Sequence, residues 1–214
     1  ASDATMASIG VKLLVDCSGS MSGDRIASAR ASVHAILEEL HKTDRVLLAR
    51  FGNEVEMRSR GLWRLTEATR TAATRWGLSL EADMGGTDMA EALSAVFATG
   101  RTDDGAADVL LLTDGDIHAV DATVKLARKS GHRVFVIGIG LSPSEVLVRR
   151  LADETGGACE FVNDAADVPE ALRRTVRRMR AQRRTGLQWR FPSDCDVVWC
   201  SEAPVSVFPG DQVV

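Results

Sequence analysis

Short runs of consecutive apolar residues alternate along the chain with longer segments in which apolar residues recur every three or four positions. The uninterrupted runs are typical of strands buried on both faces, as in a parallel sheet, and the recurring pattern is typical of amphipathic helices. The predicted strands are 11–16, 44–51, 54–62, 107–114, 133–140 and 158–162. The predicted helices are 24–41, 66–76, 87–99, 122–130, 144–155 and 167–184.

This order of elements predicts an α/β fold. We expect a doubly wound, mostly parallel six-stranded sheet in the order 3-2-1-4-5-6, flanked by helices, with 54–62 as one antiparallel edge strand. Past Gly186 the chain changes to short strand-like runs separated by proline, serine and aspartate, which predicts a short C-terminal β extension. We therefore expect one α/β domain over 9–184 and the start of a small β element over 185–214, within a fragment of a longer multi-domain protein.

The composition is that of a soluble globular protein, with 45% hydrophobic and 26% charged residues and a net charge of −4 over 214 residues. This balance gives no reason to expect nucleic-acid or membrane binding. One segment differs, because 173–190 holds eight arginines and no acid. These arginines can complement the dipole at the solvated end of the last helix, or they can dock an acidic partner or nucleic acid. The absence of aromatic residues before Trp189 argues against nucleic acid.

The four cysteines show no C-x-x-C spacing of the zinc-site type. Cys17 and Cys159 lie in or next to predicted strands, where a free thiol behaves as a small hydrophobic group. Cys195 and Cys200 could pair, but a reduced intracellular protein is the simpler interpretation. Since the sequence has neither a signal-peptide pattern nor an apolar run of transmembrane length, we expect a cytoplasmic protein.

Oxygen-bearing side chains gather where the predicted strands end. The first strand ends in Asp16, and Ser18 and Ser20 follow at alternate positions. Asp114 ends the most apolar strand, and Thr87 lies in a glycine-rich loop that opens a helix. In a doubly wound sheet the carboxyl ends of neighbouring strands form one rim, so these five side chains can point to one place. Carboxylate and hydroxyl oxygens suit Mg²⁺ or Ca²⁺ far better than a soft metal.

Each of these residues also has a purely structural interpretation. Ser18 and Ser20 could bond the backbone of their own loop, and Asp114 could cap a turn. Thr87 could be the N-cap of the helix that follows, and the neighbouring Asp88 is best interpreted as a cap residue. The four histidines form no ligand pair along the sequence.

Taken together, three segments resemble the metal-ion-dependent adhesion site of the von Willebrand factor type A domain family. The segments, in chain order, are Asp16-Cys17-Ser18-Gly19-Ser20, Gly86-Thr87-Asp88 and Thr113-Asp114-Gly115. All five positions of that site are present, and the resemblance covers 9–180. Asp-x-Ser-x-Ser alone would be a weak signal, and the three parts in the right order on an α/β chain make it specific.

The resemblance implies a role for each position. Ser18 and Ser20 would bind the metal directly through their hydroxyls, and Thr87 would do so in some states. Asp16 and Asp114 would act largely through bound water. It also implies a cofactor, Mg²⁺ or alternatively Mn²⁺ or Ca²⁺, with one coordination position left open for a carboxylate from a partner protein.

The function that follows is a metal-dependent protein–protein interaction module of a bacterial type of protein, without enzymatic activity. The expected partner is a protein offering an Asp or Glu carboxylate, for example an AAA⁺ ATPase or another domain of the same protein. The alternative is a Mg²⁺-dependent hydrolase or phosphotransferase with Asp16 as nucleophile and Asp114 as metal ligand. Against it, the haloacid-dehalogenase pattern needs a second acid where Ser18 stands. Dinucleotide binding is excluded because the first strand is not followed by G-x-G-x-x-G.

Overall fold

The computed structural model of this chain describes residues 8–99, 107–115, 120–140, 145–181, 184–186, 188, 190–191 and 206–209. The main sheet contains β1 Gly10–Asp16, β2 Arg45–Phe51, β3 Val55–Met57, β4 Trp63–Arg64, β5 Asp108–Thr113, β6 Val134–Ile139 and β7 Cys159–Val162. The helices are α1 Asp24–Glu39, α2 Glu67–Leu78, α3 Met89–Ala98, α4 Val120–Ser130, α5 Glu145–Thr155 and α6 Val168–Arg180. Short 3₁₀ turns span Gly19–Met21 and Ala165–Asp167.

The sheet order is β3-β2-β1-β5-β6-β7, which confirms the predicted doubly wound arrangement. The β2, β1, β5, β6 and β7 strands pair in parallel, and the edge pairs antiparallel with β2. Of the edge segment predicted as one strand over 54–62, only β3 pairs with β2, and a second short edge strand, β4, follows beyond that segment. Between them the chain turns, with the Ser59 hydroxyl donating to the Gly61 carbonyl at 2.6 Å.

Helices cover both faces of the sheet because its inner strands are apolar on both sides. Along β1, Val11, Leu13 and Val15 belong to the core under α1 and α6, whereas Leu14 belongs to the core under α3, α4 and α5. All four of these residues are fully buried. This two-sided burial leaves the ends of the strands as the places where the sheet meets solvent.

The described part of the C-terminal extension is tied to the main domain. Arg184–Thr185 (β8) pairs antiparallel with Ser206–Val207 (β9). Phe208 is buried and lies with its ring 6.0 Å from that of Phe135 in β6. Cys195 and Cys200 lie outside the described residues, as does most of 185–214.

The arginines of α6 are largely neutralised within the chain. Arg174 and Arg178 both pair with Glu160, Arg173 pairs with Glu39 and Glu170, and Arg180 pairs with Asp44. The helix ends at Arg180, four residues before the predicted end. This face therefore carries much less unpaired positive charge than the sequence suggests. Of the helices in the described ranges, none is long and apolar enough to cross a membrane.

Candidate metal centre

Asp16 lies at the carboxyl end of β1 and is held by three hydrogen bonds. Its Oδ1 accepts from the backbone N–H of Ser18 at 2.9 Å and from the Ser18 hydroxyl at 2.6 Å, and its Oδ2 accepts from the Thr113 hydroxyl at 2.7 Å. The residue is fully buried. Burial raises the pKa of the Asp16 carboxyl above its ordinary value, and the hydrogen bonds from Ser18 and Thr113 oppose that rise.

The two serines turn their hydroxyls towards each other. After β1 the chain enters the 3₁₀ turn Gly19–Met21, which brings the Oγ atoms of Ser18 and Ser20 to 3.1 Å. The purely structural interpretation expected these serines to bond the backbone of their own loop. Ser22 makes that kind of bond instead, because its hydroxyl donates to the Gly19 carbonyl at 2.8 Å. The Ser18 and Ser20 hydroxyls therefore belong to a side-chain cluster around Asp16.

The loop that carries Thr87 is hydrogen-bonded to the loop that follows β1. The Gly19 N–H donates to the Gly85 carbonyl at 2.7 Å, and the Gly86 N–H donates to Asn53 Oδ1 at 2.9 Å. Gly85 has φ +75°, and a Cβ at Gly86 would approach Asn53 Oδ1 to 2.6 Å. The paired glycines thus allow this loop to lie against both its neighbours.

Thr87 does not cap the following helix. The α3 helix begins at Met89, and Asp88 is its N-cap, with Oδ1 accepting from the Glu91 N–H at 3.0 Å. The predicted helix start at Thr87 is therefore wrong by two residues, because the aspartate side chain satisfies the first turn. Thr87 is half-buried, and its hydroxyl bonds no residue in the described ranges.

Asp114 follows β5 and is nearly buried. Its Oδ2 pairs with Arg25 Nη1 at 2.8 Å, and the same nitrogen donates to the Ser20 carbonyl at 3.0 Å. The Asp114 charge contributes to the raised pKa of Asp16, which places the two carboxylates within electrostatic reach of each other. Asp16, Ser18 and Ser20 are thus connected through direct contacts, Asp114 joins them through Arg25, and the Thr87 loop joins them through the backbone.

Sequence reasoning assigned no role to three residues that build this rim: Thr113, which it quoted only as part of a motif, Arg25 and Asn53. Thr113 is a polar residue at the end of an otherwise apolar strand, which was a usable signal. Arg25 is a cation in the first turn of a helix, where the dipole disfavours positive charge, and this was a second signal. Asn53 follows a glycine in a turn, and nothing local indicated that it would bond a distant loop.

A sequence profile of the von Willebrand factor type A domain matches residues 9–161, which is most of the chain. The chain belongs to this family. A von Willebrand factor A domain-containing protein of Dictyostelium discoideum is 28% identical over 164 residues, covering 74% of this chain and 18% of that protein. The chain spans about a fifth of the length of the curated relatives it matches.

Solved structures share the fold of this von Willebrand A domain. The von Willebrand factor type A protein from Catenulispora acidiphila has a TM-score of 0.68 at 21% identity, covering 81% of this chain and 43% of that one. Proximal thread matrix protein 1 from the mussel byssus, solved with a zinc-occupied metal-ion-dependent adhesion site, has a TM-score of 0.68 at 17% identity. That match covers 84% of this chain and 50% of the mussel chain.

The side chains at this rim that could bind a metal are oxygen donors. Over the described residues, no group of three or more His, Cys, Asp and Glu side chains is arranged to hold a metal. Cys17, between Asp16 and Ser18 in sequence, is fully buried in the core, and burial raises the pKa of its thiol to about 12. A metal at this rim would therefore depend on serine and threonine hydroxyls together with the two carboxylates.

Proposed function

We propose that this von Willebrand A domain is a metal-dependent protein-binding module. A divalent cation, Mg²⁺ or alternatively Mn²⁺ or Ca²⁺, would bind the hydroxyls of Ser18, Ser20 and Thr87, with Asp16 and Asp114 acting largely through water. The observation that carries the proposal is the convergence of the Ser18 and Ser20 hydroxyls at 3.1 Å beside the buried Asp16 carboxylate.

The donor set fits a hard cation. Hydroxyl and carboxylate oxygens are the ligands that Mg²⁺ and Ca²⁺ prefer, and Mg²⁺ commonly keeps several waters while using one or two carboxylates. The mussel protein's metal-occupied site, on the same fold, supports a divalent cation at this position.

A cation held mainly by neutral hydroxyls keeps most of its charge, so it would attract an external anion strongly. We propose that this anion is an Asp or Glu carboxylate of a partner protein, which would complete the coordination in a partly desolvated place. An AAA⁺ ATPase or another domain of a longer protein are candidate sources of that carboxylate.

The hydrolase alternative fits the geometry less well. A nucleophilic Asp16 would need an oxygen free to attack, yet it is fully buried and its two oxygens accept hydrogen bonds from Ser18 and Thr113. Such a carboxylate is suited to hold a loop and a cation. We therefore propose a non-catalytic role for it.

Calorimetry with MgCl₂ and MnCl₂ tests the metal site. We expect the wild-type chain to bind and Ser18→Ala and Ser20→Ala each to weaken binding by about 10–100-fold, as for other groups that support a metal. Ser22→Ala is the matched control, since its hydroxyl lies in the same loop but donates to the Gly19 carbonyl. Equal affinities in all four proteins would contradict the proposal. Capture of a partner that EDTA does not release would contradict the bridging role of the metal.

A further inference from the structure

Arg25 spans two loops of the candidate metal centre. It is the second residue of α1, and its Nη1 lies 2.8 Å from Asp114 Oδ2 and 3.0 Å from the Ser20 carbonyl oxygen. The first contact reaches the end of β5 and the second reaches the β1 loop. One guanidinium nitrogen therefore connects a proposed metal-binding carboxylate with the backbone of a proposed metal-binding serine.

The location of this cation needs a reason beyond helix formation. Positive charge in the first turn of a helix is disfavoured by the helix dipole, so Arg25 is placed against the local preference of α1. The ion pair with Asp114 explains this location. The Asp114 side chain is only 2% exposed, and a buried carboxylate is costly without an opposite charge.

The Arg25 side chain also reaches solvent. It passes Gly140, which directly follows β6, and a Cβ built on that glycine would lie at an ordinary contact distance of 3.4 Å from Arg25 Nε. The side chain remains 43% exposed, so it can leave Asp114 without crossing the core. Arg25 thus combines a buried anionic partner with a path to solvent.

We infer that Arg25 is an exchangeable counter-cation that lowers the affinity of this site for divalent metal. Without metal, its guanidinium balances the Asp114 charge. When metal binds, the two positive charges repel each other, and the Asp114–Arg25 contact weakens or breaks. Arg25 is a positioning residue, not a ligand, and this inference rests on the proposed metal-dependent function.

Neutralising Arg25 should therefore tighten metal binding. Both effects act in the same direction, since the metal-free state loses its counter-charge and the metal-bound state loses a repulsion. For charges a few ångströms apart near a protein surface we expect an increase of at least about tenfold in affinity. A purely structural arginine predicts the opposite, because loosening Asp114 and the Ser20 loop would weaken the site.

The test is Mn²⁺ binding to the full chain, measured by calorimetry and by the electron paramagnetic resonance signal of free Mn²⁺. Arg25→Gln keeps hydrogen-bond donors and removes the charge, and Arg25→Met is a second neutral variant. Arg25→Lys keeps the charge and should stay within about threefold of wild type. Arg30→Gln is the matched control on the same helix, because Arg30 Nε donates to the Leu80 carbonyl, away from the site.

Tighter binding confined to the neutral Arg25 variants supports the inference. Unchanged or weaker binding by those variants, or equal tightening by Arg25→Lys, overturns it while leaving the proposed metal site intact. If the wild-type chain fails to bind and Arg25→Gln binds, the proposed function of the wild-type chain fails and the inference stands. If none of the proteins binds, both are overturned.

Discussion

Two fully buried aspartates at opposite ends of the sheet differ in what balances their charge. Asp44 directly precedes β2 at the amino end of the parallel strands, and Asp16 ends β1 at the carboxyl end. Asp44 accepts from the backbone N–H groups of Ile9 and His41 at 2.9 and 2.7 Å and forms an ion pair with Arg180. Asp16 accepts only neutral donors, from Ser18 and Thr113, and no cationic side chain of the described residues pairs with it.

The difference separates a structural carboxylate from one prepared for a ligand. At Asp44 both the hydrogen-bonding capacity and the charge are satisfied within the chain, so nothing further is needed. At Asp16 the hydrogen bonds fix the oxygens in place but supply no opposite charge, and burial raises the pKa of the carboxyl. A buried carboxylate of this second kind is stabilised by an added cation.

Asp44→Ala should have the largest effect on stability. It removes an anion that pairs with the Arg180 guanidinium, whose side chain is only 13% exposed, and it removes the acceptor for two backbone N–H groups. Breaking a buried ion pair in this way costs about 3–5 kcal/mol of unfolding free energy. Urea denaturation measures the loss. Metal affinity of the folded fraction should not change, and a matching loss of metal binding would mean that the two ends of the sheet are not independent.

Asp16→Asn should show the reverse pattern. The amide keeps the shape of the side chain and removes a charge that the metal-free fold carries without compensation, so the unfolding free energy in EDTA should change by less than about 1 kcal/mol. Metal affinity should fall by about 10–100-fold. Denaturation and calorimetry on the same preparation separate the two effects. A stability loss as large as that of Asp44→Ala would show that Asp16 is structural.

Much of the fold could be predicted from local pattern, because burial on both faces leaves apolar runs at β1, β5 and β6, broken in β1 by the buried Lys12. The predicted start of α3 was wrong because two neighbouring residues can both act as its N-cap. Thr87 and Asp88 can both cap a helix, and only the contact with the Glu91 N–H decides between them. The edge strand over 54–62 was predicted too long because the chain turns between β3 and β4, and alternation of apolar and polar residues does not reveal such a turn.

The candidate site was likewise predictable from the sequence only in part. The serines follow Asp16 in sequence, so their spacing and the family resemblance pointed to them. The residues that hold the carboxylates are distant in sequence, since Thr113 lies 97 positions from Asp16 and Arg25 lies 89 positions from Asp114. Such pairs depend on which strand ends become neighbours, and an alternating apolar pattern carries no information about their side-chain contacts.

The smallest expected effect is the contribution of Asp16 to the pH dependence of the unfolding free energy. It distinguishes most directly between a buried carboxylate without a cationic partner and one whose charge is balanced. Its folded-state pKa is raised above the ordinary value of 3.8, so between these two values the folded state binds more protons than the unfolded state. The stabilising contribution of protonated Asp16 is therefore complete below the unfolded pKa and is lost as pH rises through the folded pKa.

Bound metal reverses the direction of this pH dependence, because the cation needs the ionised form of Asp16. Metal affinity should therefore rise with pH between the unfolded-state and folded-state pKa values. The measurement is the difference in unfolding free energy between wild type and Asp16→Asn in EDTA, from about pH 4 to about pH 7, repeated with saturating Mn²⁺. In EDTA the wild type should lose stability relative to the variant as pH rises, and with Mn²⁺ it should gain. A difference that does not vary with pH in either condition would mean that the charge of Asp16 is already balanced, as that of Asp44 is.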